Sequence, residues 1–332
     1  MMKKTVAFII VLLFSLCDSW AQDYVNNSTI AFTIPEKDLL PENVAYDPAE
    51  KAFYVGSTRK GKIIKIDADG KQSTFIEGNS HGHWMVIGMK VDTERRVLWV
   101  CSSGGENLVG YTKEDDKEGR PAGIFKFDLK SGKLLNKYTL ERTGEVHFFN
   151  DLVIARNGDV YATHMFGNHA IYKIANGSDK LELFVEDELI KWPNGITMAD
   201  NQSVLFVAHA DGIARVDIGD KKVTSLSVPE GTKVSRRESI DGLSYYKWSL
   251  VGVQPDMKTI SRYYLNEKGD GIKEVKVLEK GHPMMDHPTT GVLVGSDFYY
   301  IANSQFEKIS EQGVLSPMEQ LYEPVILKVK ID

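Results

Sequence analysis

The chain has 332 residues, 42% hydrophobic and 26% charged, with a formal net charge of −6 at pH 7. No cluster of Lys and Arg is dense enough for a nucleic-acid-binding face, and beyond the first residues no apolar run is long enough for a permanent membrane span. The only cysteines are Cys17 and Cys101, so no disulfide framework is available once an N-terminal leader is removed.

Such a leader is the first predicted element. Lys3-Lys4 gives a positive start, residues 6–16 an apolar run, and Ser19-Trp20-Ala21 a small-x-small cleavage site. This predicts a signal peptide over residues 1–21 and export to the periplasm or outside the cell. Leu16 stands where a lipoprotein signal needs a small residue, so Cys17 is not read as a lipid anchor. Residues 22–332 then have the length of one closed all-β domain, roughly 52 residues for each of six units. A strand-like stretch, residues 28–34, precedes the first unit.

The six units begin alike, at Glu42-Asn43-Val44-Ala45, Ile87-Gly88-Met89-Lys90, Asn150-Asp151-Leu152-Val153, Asn194-Gly195-Ile196-Thr197, Asp241-Gly242-Leu243-Ser244 and Thr290-Gly291-Val292-Leu293. Their first residues are 45, 63, 44, 47 and 49 positions apart. Each leads through a turn into an apolar-aromatic strand: Phe53-Tyr54-Val55, Leu98-Trp99-Val100, Val160-Tyr161-Ala162, Leu205-Phe206-Val207, Ser249-Leu250-Val251 and Phe298-Tyr299-Tyr300. A further strand such as Ile63-Ile64-Lys65-Ile66 or Ile124-Phe125-Lys126-Phe127 follows in successive units, alternating as a half-buried strand does. Turn dipeptides such as Asp69-Gly70 and Asn176-Gly177 close most of them. Short strands repeated at this spacing predict an all-β, six-bladed β-propeller. The long step after Ile87 places an inserted loop, residues 104–121, between two strands of blade two, where it can cover one mouth of the channel. Its charged run, Lys113 to Arg120, mixes signs as a solvated loop does. The last strand, residues 324–331, can pair with residues 28–34 and close the ring, leaving no exposed edge. Cys101 falls on a strand and is expected as a buried, inert thiol.

The first column of the repeat is Glu42, Ile87, Asn150, Asn194, Asp241 and Thr290. Equivalent positions of a propeller face one central channel, so Glu42, Asn150, Asn194 and Asp241 converge. Asn-Gly and Asp-Gly are also ordinary turn dipeptides, but four oxygen donors in one register suit a hard cation, and two buried carboxylates are costly without one. The absence of His and Cys from the column favours Ca²⁺ over Zn²⁺, with another divalent cation as the alternative. Asp241 is a candidate base or nucleophile as well as a ligand. Among the histidines, His83 and His287 are expected at the channel rim ahead of His164, His169 and His209, and His81 and His147 also fall near it. Trp84, Phe148, Phe149, Trp192 and Tyr246 lie close to the column in sequence and are candidates for an apolar pocket, with core packing the competing role.

Phe149-Asn150-Asp151 with Asn157-Gly158-Asp159-Val160-Tyr161, then Pro193-Asn194-Gly195-Ile196 and Asp241-Gly242, resemble the gluconolactonase/senescence-marker-protein (regucalcin-like) family of six-bladed propellers. Paraoxonases and diisopropyl fluorophosphatase are more distant relatives of that family. The resemblance implies a divalent metal, usually Ca²⁺, in the channel and hydrolysis of lactones, esters or phosphoesters. It makes Glu42, Asn194 and Asp241 metal ligands, and Asn150 a ligand that also approaches substrate. The chain departs from the family at Asn43, Val44 and Tyr46, where Gly, Pro and Trp are usual, at Phe148, where sugar-lactone members carry Arg, and at Gly242, where paraoxonases carry Asn. Phe148 turns the expectation from free sugar acids toward apolar lactones or esters, with Phe148, Trp84 and Asn150 as substrate contacts. The expected protein is therefore an exported, Ca²⁺-dependent lactone or ester hydrolase, monomeric, with a small-molecule substrate. The alternative is a metal-containing propeller that binds a small ligand or protein partner without turnover.

Overall fold

In the computed structural model the chain is described over residues 24–310 and 312–332, so the expected leader at residues 1–21 lies outside the described residues. Six four-stranded antiparallel sheets form a six-bladed β-propeller. The inner strands are Pro41–Asp47, Met85–Asp92, Phe148–Ile154, Ile196–Met198, Leu243–Tyr245 and Gly291–Val294. Within blades one to five each later strand pairs outside the one before it.

The apolar-aromatic second strands are hydrophobic on both faces because each blade is packed between two others. Side chains alternate across a strand, so Leu98 and Val100 enter the core shared with blade one, while Trp99 and Cys101 enter the core shared with blade three. In blade four Leu205 and Val207 pack toward blade three, and Phe206 and Ala208 toward blade five. Six hydrophobic clusters result, one at each blade interface. Burying one large apolar side chain contributes about 1.5–3 kcal/mol. The Cys101 thiol is sealed in this way, and burial pushes its pKa up.

The third strands are more deeply buried than their alternation predicts. Ile63, Ile64 and Ile66 are all buried, and the intervening cation is absorbed by the neighbouring strand. Lys65 stands opposite Tyr54, Lys126 opposite Trp99 and Lys173 opposite Tyr161. Each ammonium lies over its partner ring, at 5.8, 5.1 and 5.3 Å from the centroid.

Ring closure follows the expected route. Thr29–Thr33 is the outermost strand of blade six and pairs antiparallel with Val325–Lys330, with Thr29 opposite Lys328 and Thr33 opposite Val325. Glu279 of blade five clamps the chain just before it, accepting from the Asn27 and Ser28 N–H groups at 2.9 and 2.6 Å. The Ser28 hydroxyl also bonds Tyr300 Oη at 2.8 Å.

Candidate metal and active site

The first column stands at the starts of the inner strands, each fixed through its main chain by a neighbouring blade. Thr163 Oγ1 donates to the Asn194 carbonyl at 2.7 Å, and the Gly195 N–H to the Asp241 carbonyl at 2.9 Å. The Gly242 N–H donates to the Thr289 carbonyl at 3.2 Å, and Thr289 and Thr290 hydroxyls both donate to the Glu42 carbonyl, at 2.7 and 2.8 Å. The glycine after the column residue is a steric requirement. A Cβ at Gly195 would stand 2.3 Å from the Asp241 carbonyl oxygen, and one at Gly242 2.7 Å from the Thr290 Cα. The Asn-Gly and Asp-Gly pairs are therefore contacts between inner strands.

This scaffold leaves polar side-chain atoms unsatisfied. Asn194 Oδ1 and Asp241 Oδ1 are buried with no hydrogen-bond partner among the described residues, which costs about 1–3 kcal/mol or more for each such atom. Burial raises the pKa of Glu42 well above the usual carboxylate range, and the charges of Asp241 and Asp151 raise it further. Burial pushes Asp241 up to about 7, with Asp151 adding to the rise while a hydrogen bond from Asn194 opposes it. Glu42 of blade one and Asp241 of blade five stand on either side of blade six, and the charge of Asp241 reaches Glu42 across the channel. Asn150 is buried, with Nδ2 4.0 Å from Met165 Sδ. Among the described residues there is no group of three or more His, Cys, Asp or Glu side chains arranged for a metal. The column instead offers two carboxylates and two amides, an oxygen-only donor set of the kind hard cations take.

One channel residue went unnoticed in the sequence. Asp151 takes the place that glycine holds in blades two, four, five and six. Its Oδ1 accepts from Lys90 Nζ at 3.0 Å and its Oδ2 from the Ile196 N–H at 3.4 Å, so it ties blade three to blades two and four. The interruption of the x-Gly column at Asp151 was the available signal.

Two cavities adjoin the column. One, of about 220 Å³, is lined by Glu42, Ile87 and Phe148 together with Glu106 and Arg120 of the blade-two insertion and Phe306. The insertion thus lies against the channel mouth and is well anchored. Arg120, whose side chain is 14% exposed, bonds Glu106 at 2.8 Å and Asp116 at 3.0 Å. A second insertion, residues 302–324 of blade six, meets it. Arg59 Nη1 joins the two, donating to the Asn107 and Gly313 carbonyls at 3.0 and 3.2 Å. The other cavity, of about 670 Å³, is lined by Asn194, Met165, Trp192, His209, Ile240 and a set of charged side chains.

The remaining candidate residues divide. Phe148 lies beside Glu42, as above. His287 is half-buried, with its ring 5.8 Å from Phe306, and burial lowers its pKa. His83 is placed in the wall between blades one and two, which corrects its expected position at the rim. Its Nε2 is 2.5 Å from the Gly61 carbonyl, its ring packs edge-on to Phe125 and Phe127, and burial lowers its pKa to about 4. Trp84 is likewise displaced: it packs on Phe125 and lines a separate 210 Å³ recess with Leu108 and Tyr111, away from the column residues. His209, ranked below both expected histidines, lines the large cavity. Its Nδ1 accepts from the Asp211 N–H at 3.3 Å, which puts the ring proton on Nε2, an atom with no partner among the described residues.

No protein-family model matches the sequence, and no curated protein matches it. Solved structures do. The Malassezia sympodialis allergen Mala s 1 superposes with a TM-score of 0.67 at 13% identity, over 91% of this chain and 96% of that one. A calcium-binding protein, regucalcin, from Agrobacterium tumefaciens gives 0.59 at 16% identity, over 91% and 95%. A gluconolactonase from Xanthomonas campestris, XC5397, gives 0.56 at 14% identity, over 87% and 85%. At these identities the likeness establishes the fold.

Proposed function

We propose that the protein is an exported, Ca²⁺-dependent hydrolase of lactones or esters, with the cation held by Glu42, Asn150, Asn194 and Asp241. The observation that carries this reading is the pair of buried, unpartnered oxygens, Asn194 Oδ1 and Asp241 Oδ1, beside a Glu42 carboxyl whose charged form burial disfavours. A bound cation would satisfy those oxygens, neutralise the carboxylates and polarise the substrate carbonyl.

The chain's own residues supply positioning and proton transfer. The inter-blade hydrogen bonds hold the column without reorganisation, which is the condition for electrostatic stabilisation of developing charge. Asp241, a carboxylate at the cation, is the first candidate to accept a proton from attacking water. His287, close to Phe306 at the covered side, is the second candidate base. His209 Nε2–H is a donor on the open side. His83 and Trp84 receive no part in the chemistry. Phe148 bounds the substrate space on the Glu42 side and Trp192 on the Asn194 side.

The likeness to the calcium-binding regucalcin supports a second reading, a cation-containing propeller that binds a small ligand or protein partner without turnover. The two are separated by assaying a panel of lactones and aryl esters with EDTA and with added Ca²⁺. Turnover lost on chelation and restored by Ca²⁺ establishes the hydrolase. A melting temperature that rises with Ca²⁺ in the absence of any turnover establishes the binding propeller.

A further inference from the structure

The 670 Å³ cavity beside Asn194 has a chemical bias of its own. Its apolar surface comes from Met165, Trp192 and Ile240. Trp192 is 56% exposed although it is a large aromatic, and it stands two residues before Asn194. Its backbone is left-handed, with φ 49°, a conformation unfavourable for a bulky residue. Arg236, across the cavity, is also left-handed, with φ 57°. The rim is stitched through its main chain: the Ala210 N–H donates to the Lys191 carbonyl at 2.9 Å, and the Arg236 N–H to the Ala210 carbonyl at 2.6 Å. Two strained residues are thus held by the loops to present an indole and a guanidinium to the same space.

The charges are arranged asymmetrically. Arg236 and Arg237 line the cavity, and among the described residues neither guanidinium has a hydrogen bond or ion pair to its side chain. Elsewhere Arg96, Arg120, Arg215 and Arg262 are all paired with carboxylates. Lys191 also lines the cavity and leans 3.7 Å from Glu188. Two carboxylates, Asp211 and Asp256, also line the cavity, and among the described residues neither forms an ion pair with Arg236 or Arg237. The arginines are left to an incoming anion, and planar guanidinium groups favour oxyanions that accept two hydrogen bonds. The nearby Asp211 and Asp256 disfavour a dianion over a carboxylate.

We propose that this cavity is the specificity pocket of the channel site, and that it takes a flat apolar group bearing a carboxylate. Substrates would be carboxylate-bearing aryl esters or lactones, with the ring against Trp192 and Met165 and the carboxylate on Arg236 and Arg237. The substrate class rests on the channel reading above; the binding preference does not. The test is equilibrium binding of naphthoate and of neutral naphthamide to the Ca²⁺-loaded protein, its Arg236→Gln/Arg237→Gln, Trp192→Ala and Asp241→Asn variants, and the EDTA-treated protein. The expected result is naphthoate favoured over naphthamide roughly ten- to hundredfold. The arginine variant loses that preference, Trp192→Ala weakens both ligands, and EDTA changes neither. Both arginines are exposed, so the double variant keeps the fold, and Trp192→Ala reports on the cavity independently. Equal binding of the two ligands overturns the proposal. So does a carboxylate preference that EDTA removes and the arginine variant retains, because the cation would then be holding the carboxylate. Naphthoate binding that survives in Asp241→Asn, with no ester hydrolysed by the wild type, would sink the hydrolase reading and leave the pocket standing.

Discussion

The two halves of the channel mouth are built on the same repeat and finished differently. Over Glu42 and Ile87, the insertions of blades two and six meet through Arg59 and leave a cavity of about 220 Å³ with Arg120 and Glu106 in its wall. Over Asn194, the loops 187–195 and 226–242 leave about 670 Å³ lined by Trp192 and by two arginines without an ion pair among the described residues. The inner strands present their oxygen donors in one register on both sides. Access is decided by the connecting loops, which also carry part of the inter-blade packing: Leu226, Val234 and Ile240 belong to the core between blades four and five, and Ile190 to the core between blades three and four.

The largest effects should come from substitutions that ignore the difference between the halves. Glu42→Gln on the covered side and Asp241→Asn on the open side should each lower hydrolysis on the order of 10²–10³-fold. Each should also abolish the rise in melting temperature with Ca²⁺. A variant that loses activity while keeping that rise would place its residue outside the cation site. His83→Gln should separate the wall from the mouth. In the wild type His83 is neutral with its pKa depressed from 6.5 to about 4, so the unfolded chain binds its proton first as pH falls. Stability is therefore full above about 6.5 and lost as pH falls toward 4, by up to about 3 kcal/mol. Thermal unfolding of His83→Gln across that window should show a shallower acid slope, with activity at neutral pH within about twofold of wild type. A catalytic His83 would give the reverse.

Arg120→Gln should open the covered half, releasing Glu106 and Asp116 at a local cost of about 1–3 kcal/mol. Hydrogen exchange should rise within residues 104–121, and KM should change more than kcat. Unchanged exchange would show that Arg59 and the main-chain contacts hold the insertion by themselves. The smallest effect is expected at Trp192. Replacing this left-handed, exposed residue with Gly relieves strain and should leave the melting temperature equal or higher, by no more than about 1 kcal/mol of stability. A clear loss would mean that the ring supports the rim.

The architecture was legible because it repeats. Six openings in one register, followed by apolar-aromatic strands, can be satisfied only by sheets packed on both faces, as Leu98 and Trp99 illustrate by entering opposite cores. The ring-closing strand was legible because an unpaired edge demands a partner. The blade-six insertion was missed for a reason of counting: surplus length in blade two stretches the step from Ile87 to Asn150, whereas surplus in the last blade stretches no step at all. Asp151 was overlooked because its neighbour Asn150 carried the motif. His83 was misplaced because closeness in sequence to an inner strand says nothing about which side of the blade a loop residue takes, and the Gly61 carbonyl draws the ring into the wall. The cavity at Trp192 depends on loops from separate blades and on left-handed backbone, neither of which periodicity reports.

The pairing of Thr29–Thr33 with Val325–Lys330 has a consequence for the order of events in synthesis. Nearly the whole chain separates the two halves of blade six, so the ring stays open until the final strand has left the ribosome. Until then the edge of Asp297–Ile301 is unpaired and the core around Phe298, Tyr300 and Leu327 is incomplete. Pairings so distant in sequence form slowly, and a nascent chain held in this state keeps an adhesive edge exposed. Deletion of Val325–Lys330 should thus be far more damaging than its length suggests, since it removes the strand on which closure depends.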